Sequence, residues 1–134
     1  MIARSLSASE FWNKLPWKQS RRNLFRLQVR VYKAIRANDL RKAKSLQKLI
    51  LKSRAARLLA IRQVTQLNAG KKTPGIDGKA SLTHQARLEL SKRLKSNVNT
   101  WRHQGLRQIP IPKKDGSTRI LKVPMVCPYC TCVQ

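Results

Sequence analysis

Acidic residues are what this sequence most lacks. Five Asp plus Glu stand against 30 Lys plus Arg in 134 residues, a formal charge of +25. Self-repulsion of that size opposes compaction unless the cations are spread over solvated faces or neutralised by a ligand. A polyanionic partner is the expectation, and nucleic acid fits best, because each phosphate neutralised releases counterions and adds affinity. Long hydrophobic runs are missing as well. No stretch approaches the roughly 18 apolar residues of a membrane span, and Met1-Ile2-Ala3-Arg4-Ser5 lacks the apolar run of a signal peptide. The expected setting is intracellular, the cytoplasm or an organelle stroma or matrix in a eukaryote, with no membrane partner.

Aromatics are sparse, at 5%, which argues against stacking on single-stranded bases as the main binding mode and favours contact with the phosphate backbone. Apolar residues reach 41%, enough for one modest core but not for a polymerase or another large enzyme. Cysteine and histidine are few, and chance, from truncation or a frame change, accounts for the cysteine tail better than the alternative of metal or redox chemistry. Cys127-Pro128-Tyr129-Cys130 has redox-motif spacing without a βαβ context, and no second Cys/His pair makes it a zinc site. His84 and His103 read as polar surface. Neither a metal nor a cofactor is expected in this chain.

What the sequence does have is helical periodicity. From Trp17 to about Asn38, Leu24, Leu27, Val31, Ala34 and Ile35 recur at three- and four-residue steps and mark a core face. Arg22, Arg26, Arg30 and Lys33 form a cationic stripe on another side. A solvated helix face would normally interleave Glu with Lys, and here the acids are absent. Asn38-Asp39 can cap a second helix running to about Asn68, with Leu46, Leu49, Ile50, Ala56, Ala60, Val64 and Leu67 inside and Arg41, Lys44, Lys48 and Lys52 outside. The two make a basic antiparallel hairpin, and their many small Ala residues suit close helix packing better than a membrane surface.

The segment Lys71 to Gly78 is a turn-rich loop. Gly70 and Gly75 have the spacing of a nucleotide-binding phosphate loop, but Ile76-Asp77 stand where Lys-Ser/Thr would be needed. A third helix starting near Ser81 or Thr83 would bury Leu82, Ala86, Leu90, Leu94 and Val98, with Trp101 sealing its end. After Gly105 the period becomes alternating, and Ile109 and Ile111, a turn at Asp115-Gly116, then Arg119, Leu121 and Val123 read as a β-hairpin. Pro110, Pro112 and Pro124 remove ladder donors, so its strands should lie at an edge or be irregular. The loop length puts Lys113 and Arg119 on one face, where like charges cost stability unless an anion lies between them. The fold class is mainly α, a basic helical hairpin plus a third helix followed by a C-terminal β-hairpin.

Taken in order, Leu58 to Gly78, then Ile109-Pro110-Ile111-Pro112-Lys113-Lys114-Asp115-Gly116 and Arg119, resemble the N-terminal region of group II intron reverse transcriptase/maturase proteins. Trp17, Leu27 to Ala34 and Leu46 to Leu49 resemble the same family's extension. The resemblance covers about Phe11 to Pro124. It divides the chain into an N-terminal tail and short helix (1–16), a helical reverse transcriptase N-terminal domain (17–105), a fingers β-hairpin (106–124) and a divergent tail (125–134) carrying Cys127, Cys130 and Cys132.

The resemblance implies that the loop Thr73, Pro74, Gly75, Ile76, Asp77 and Gly78 lies over the template strand, and that Lys113 and Arg119 contact the triphosphate of the incoming nucleotide. The implied partners are intron RNA and a template strand, with DNA and a separately encoded remainder of the reverse transcriptase as further candidates. Mg2+ is expected for the full-length enzyme, whose palm carboxylates hold it. This chain departs from the family after Pro124 and lacks that palm, so it reads as a truncated or split fragment of the fingers region. Glu10, Asp39, Asp77, Glu89 and Asp115 lie on separate helices, a loop and a turn, so no polymerase activity is expected from the chain alone. A basic structural protein of ribosomal or nucleoid type is the alternative.

Replacing Arg22, Arg26, Arg30 and Lys33 together with Gln should flatten the log-log salt dependence of RNA binding by roughly 0.7 to 0.9 for each phosphate no longer neutralised. Titration of a structured RNA across a salt series measures it, and an unchanged slope would make the stripe a solvated face only.

Overall fold

The computed structural model describes residues 6–76, 78–80, 82–96 and 105–125. They form five helices, α1 (Ala8–Asn13), α2 (Trp17–Arg36), α3 (Leu40–Lys52), α4 (Arg54–Arg62) and α5 (His84–Ser96), followed by strands β1 (Arg107–Pro112) and β2 (Thr118–Val123). This is the mainly helical arrangement with a terminal β-hairpin that the periodicity predicts. The third-helix positions Ser81, Val98 and Trp101, together with His103, lie outside the described residues.

The turn between α2 and α3 follows from its sequence. Asn38 adopts the left-handed conformation, with φ 56°, which Asn tolerates better than most residues. Its N–H donates to Ile35 O and that of Asp39 to Ala34 O, each at 2.9 Å, capping the last carbonyls of α2. The Asp39 carboxylate then accepts from Lys42 N at 3.0 Å and starts α3. The chain therefore reverses sharply, and Ala34, Ala43 and Leu46 are buried between the two helices, with Val31 packed beside them. Ile35, expected inside, is half exposed beside the turn, and Leu49, near the other end of α3, is half exposed as well.

The second helix does not run unbroken to Asn68. Ser53 has extended backbone (φ −69°, ψ 129°), ends α3, and caps α4 by accepting from Ala56 N at 3.4 Å. This break resets the helical phase. Leu58, Ile61 and Thr65 turn inward, while Ala60, Val64 and Leu67 of the predicted face are exposed. After α4 the helix widens into a π-turn at Gln63–Leu67, closed by Asn68 N donating to Gln63 O at 2.8 Å, and then tightens into a 3₁₀ turn at Ala69–Lys72.

The principal core joins elements distant in sequence. Trp12 of α1 is 1% exposed and packs with Leu58, Ile61 and Leu90; Leu15, Trp17, Leu82, Leu88 and Leu94 surround them. Periodicity leaves Trp12 in the N-terminal segment, because a helix this short shows no period. The Ser7–Glu10 capping box holds that turn, and Trp12 Nε1 donates to Gln66 Oε1 at 3.2 Å.

Arg87 is also inside, 8% exposed. Its Nη2 donates to Thr65 O at 3.2 Å and its Nη1 to Nδ1 of His84 at 3.0 Å, and its guanidinium lies 5.7 Å from the centre of the Trp12 ring. Burial pulls this guanidinium below the usual arginine range. His84 is accordingly a half-buried partner rather than the polar surface residue expected.

Trp12→Ala should cost about 3–5 kcal/mol, a large share of the stability of a small domain. Ile35→Ala should cost under about 1 kcal/mol, because Ile35 is half exposed. Urea denaturation of the two variants checks the contrast, and equal losses would contradict this core.

Candidate nucleic-acid interface

Arg22, Arg26, Arg30 and Lys33 of α2, and Arg41, Lys44, Lys48 and Lys52 of α3, are all exposed. Each row follows from helical spacing once Ala34, Ala43 and Leu46 fix the inner faces. The two rows are not symmetrical about the hairpin. Arg30 and Lys33 share a shallow recess with Lys42, Ala37 and Asp39, so the cation that meets the α2 row is Lys42 rather than a member of the predicted α3 row. Lys42 escapes a search for stripes because it has no same-face cation one turn on: Leu46 is buried and Ser45 is neutral.

The loop Thr73 to Gly78 is seated against the base of the β-hairpin, with Asp77 outside the described residues. Arg107 Nη1 donates to Pro74 O at 3.1 Å. Gly75 is buried, and a Cβ there would stand 2.8 Å from Met125 Cα. Ile76 Cδ1 would lie 3.1 Å from a Cβ built on Gly105. Gly78 has φ 68° and open space around it. The two glycines thus serve different ends: Gly75 permits close approach of backbone, and Gly78 permits a left-handed turn.

In the hairpin Ile109 pairs with Leu121, Ile111 with Arg119 and Pro112 with Thr118. Lys113 N donates to Ser117 O at 2.8 Å, and Gly116 N to Lys113 O at 3.1 Å, with Gly116 at φ 82°; this is a type I turn closed by a glycine bulge. Arg119 and Lys113 therefore fall on one face, diagonal to each other across the ladder, and both are exposed. Hydrogen bonds from the Ser117 hydroxyl and backbone hold the Asp115 carboxyl below the ordinary carboxylate range. A depressed carboxyl stabilises the turn at neutral pH, and that support fades as pH falls through its own titration. Lys113 is separated from Arg107, the loop's anchor, by six strand steps, roughly 20 Å, so the structure does not bring the loop and the Lys113–Arg119 pair together.

Among the described residues no group of three or more His, Cys, Asp or Glu could hold a metal ion. The cysteines 127, 130 and 132 lie outside the described residues. No described helix is long and apolar enough to cross a membrane.

Gly75→Ala should displace the loop, since the Met125 atom in its way is backbone. Gly78→Ala should cost about 1 kcal/mol from strain alone. Limited proteolysis around residue 76 checks both; cleavage of Gly75→Ala no faster than the parent would contradict the seated loop.

Residues 12–94 match the N-terminal domain of reverse transcriptase. A maturase-like protein 1 from Euglena gracilis is 43% identical over 108 residues, covering 81% of this chain and 24% of its own length. A maturase-like protein 1 from Euglena longa is 35% identical over 122 residues, covering 91% of this chain and 27% of its own. The chain spans about a quarter of the length of the curated relatives it matches. With the core residues from the buried Trp12 to Leu94 of α5 inside the matched region, the chain belongs to the family of reverse transcriptase N-terminal domains.

Proposed function

We propose that this chain is an RNA-binding N-terminal module of a group II intron reverse transcriptase/maturase. It binds intron RNA and the template strand and supports RNA-directed DNA synthesis and splicing in the complete protein. The observation that carries this reading is a helical hairpin with outward cations on both helices, in a chain of net charge +25 that matches this family. Backbone phosphates meet such a surface at many points, and the affinity is correspondingly salt-dependent. The loop Thr73 to Gly78 lies over the template, and Lys113 and Arg119 take the triphosphate of the incoming nucleotide. Their shared face supports that role, because an anion between them relieves like-charge repulsion. The palm carboxylates and Mg2+ belong to the remainder of the polymerase, whether on the same or a separate chain, and the setting is intracellular.

Filter binding of the purified chain to a group II intron RNA and to an unrelated structured RNA, together with primer extension in Mg2+, tests the reading. Binding that favours intron RNA without template-dependent extension is expected. Equal binding to any RNA and duplex DNA favours a basic structural protein, and extension that survives stringent purification overturns the division of labour.

A further inference from the structure

An open cleft of about 680 Å³ lies between α1, α3, α4 and α5 and shares only Lys52 with the predicted basic rows. Its size is within the range of small-molecule sites. Lys52, Arg54 and Arg57 line one side, and Lys92 and Lys95 of α5 the other. Its apolar lining is Phe11, 39% exposed, with Leu58 and Leu88 of the core cluster. Arg57 donates through Nη1 to Lys52 O at 2.9 Å, while its Nε is buried without a hydrogen-bond partner. Gln85 and Glu89, joined by a 3.2 Å hydrogen bond, add polar groups on α5. Cations alone would suit a bare phosphate, and an apolar lining alone would suit a helix. An aromatic ring and aliphatic side chains ringed by cations, with an acceptor nearby, match a nucleotide. A paired base cannot enter such a cleft, because its faces are covered by its neighbours in the stack.

We infer that this cleft takes one unpaired nucleotide of an RNA, its base against Phe11 and Leu88 and its flanking phosphates between the Lys52–Arg54–Arg57 side and the Lys92–Lys95 side. The inference rests on the RNA-binding reading above. It adds a local stacking contact to a chain whose few aromatics argue against stacking as the principal mode.

The test compares an RNA stem carrying a single bulged nucleotide with the same stem fully paired, by fluorescence anisotropy with the whole chain. The parent should prefer the bulged stem by about tenfold, and Phe11→Ala should remove the preference while leaving the paired stem within about twofold. A 4-thiouridine at the bulge should crosslink to peptides containing Phe11 or Lys92, a readout on the parent chain that holds even where Phe11→Ala fails to fold. Equal binding of the two stems by the parent, a preference retained in folded Phe11→Ala, or crosslinks confined to α2 would overturn the cleft assignment alone. Failure of the parent to bind either stem would overturn the RNA-binding reading and this site with it.

Discussion

The fold depends on cations satisfied by backbone carbonyls. With so few carboxylates in the chain, Arg57 donates to Lys52 O, Lys71 to Gln66 O, Arg87 to Thr65 O and Arg107 to Pro74 O. The first three acceptors lie at or near the ends of helical segments, where carbonyls lack an intrahelical partner and the helix dipole favours positive charge. A hydrogen bond to a charged donor contributes about 1.5–3 kcal/mol where water does not compete, which here holds for the buried Arg87 bond and in part for that of Lys71; the exposed Arg57 and Arg107 bonds place the chain and contribute less. Aromatic faces take a further share. Arg62 stands 4.6 Å from the centre of the Trp17 ring, and Arg87 lies over Trp12, whose ring meets Trp17 edge-on at 5.0 Å.

This arrangement separates two populations of cations. A small set is turned inward or along the chain to close helix ends and loops. The larger set, on the outer faces of α2 and α3, is left to the solvent, where nothing within the helical hairpin balances it except Asp39, itself engaged as a helix cap. A field of one sign over such a surface favours association with a polyanion and weakens the compact state in its absence. The structural and the solvent-facing cations thus follow from one compositional fact.

Much of the architecture was legible in the sequence because it rests on local rules. The three-and-four spacing of Leu24, Leu27, Val31 and Ala34 defines the inner face of α2, Asn38-Asp39 encodes the reversal, and the alternation around Asp115-Gly116 sets the hairpin register. The break at Ser53 was not legible, since serine is tolerated inside helices and becomes a cap only when the chain turns there. Neither was Trp12, too isolated to show a period, nor Arg87, whose cation is stable inside only because Thr65 O, His84 and the Trp12 ring converge on it from other parts of the chain. Among the site residues, the exposed rows on α2 and α3 follow from periodicity, while Lys42 and the seat of Gly75 against Met125 depend on which segments meet.

By itself, the sequence determined the polyanion-seeking charge, the helical hairpin, the turn types and the shared face of Lys113 and Arg119, because composition, helical period and strand register act over a few residues. Tertiary structure alone decided that α1 closes the core through Trp12, that the loop after the 3₁₀ turn sits on the base of the hairpin, and that α1, α3, α4 and α5 leave a cationic cleft between them. These features join residues from separate elements. Their stability comes from close packing and from satisfying buried donors and carbonyls, conditions that exist only once the chain has brought those elements together.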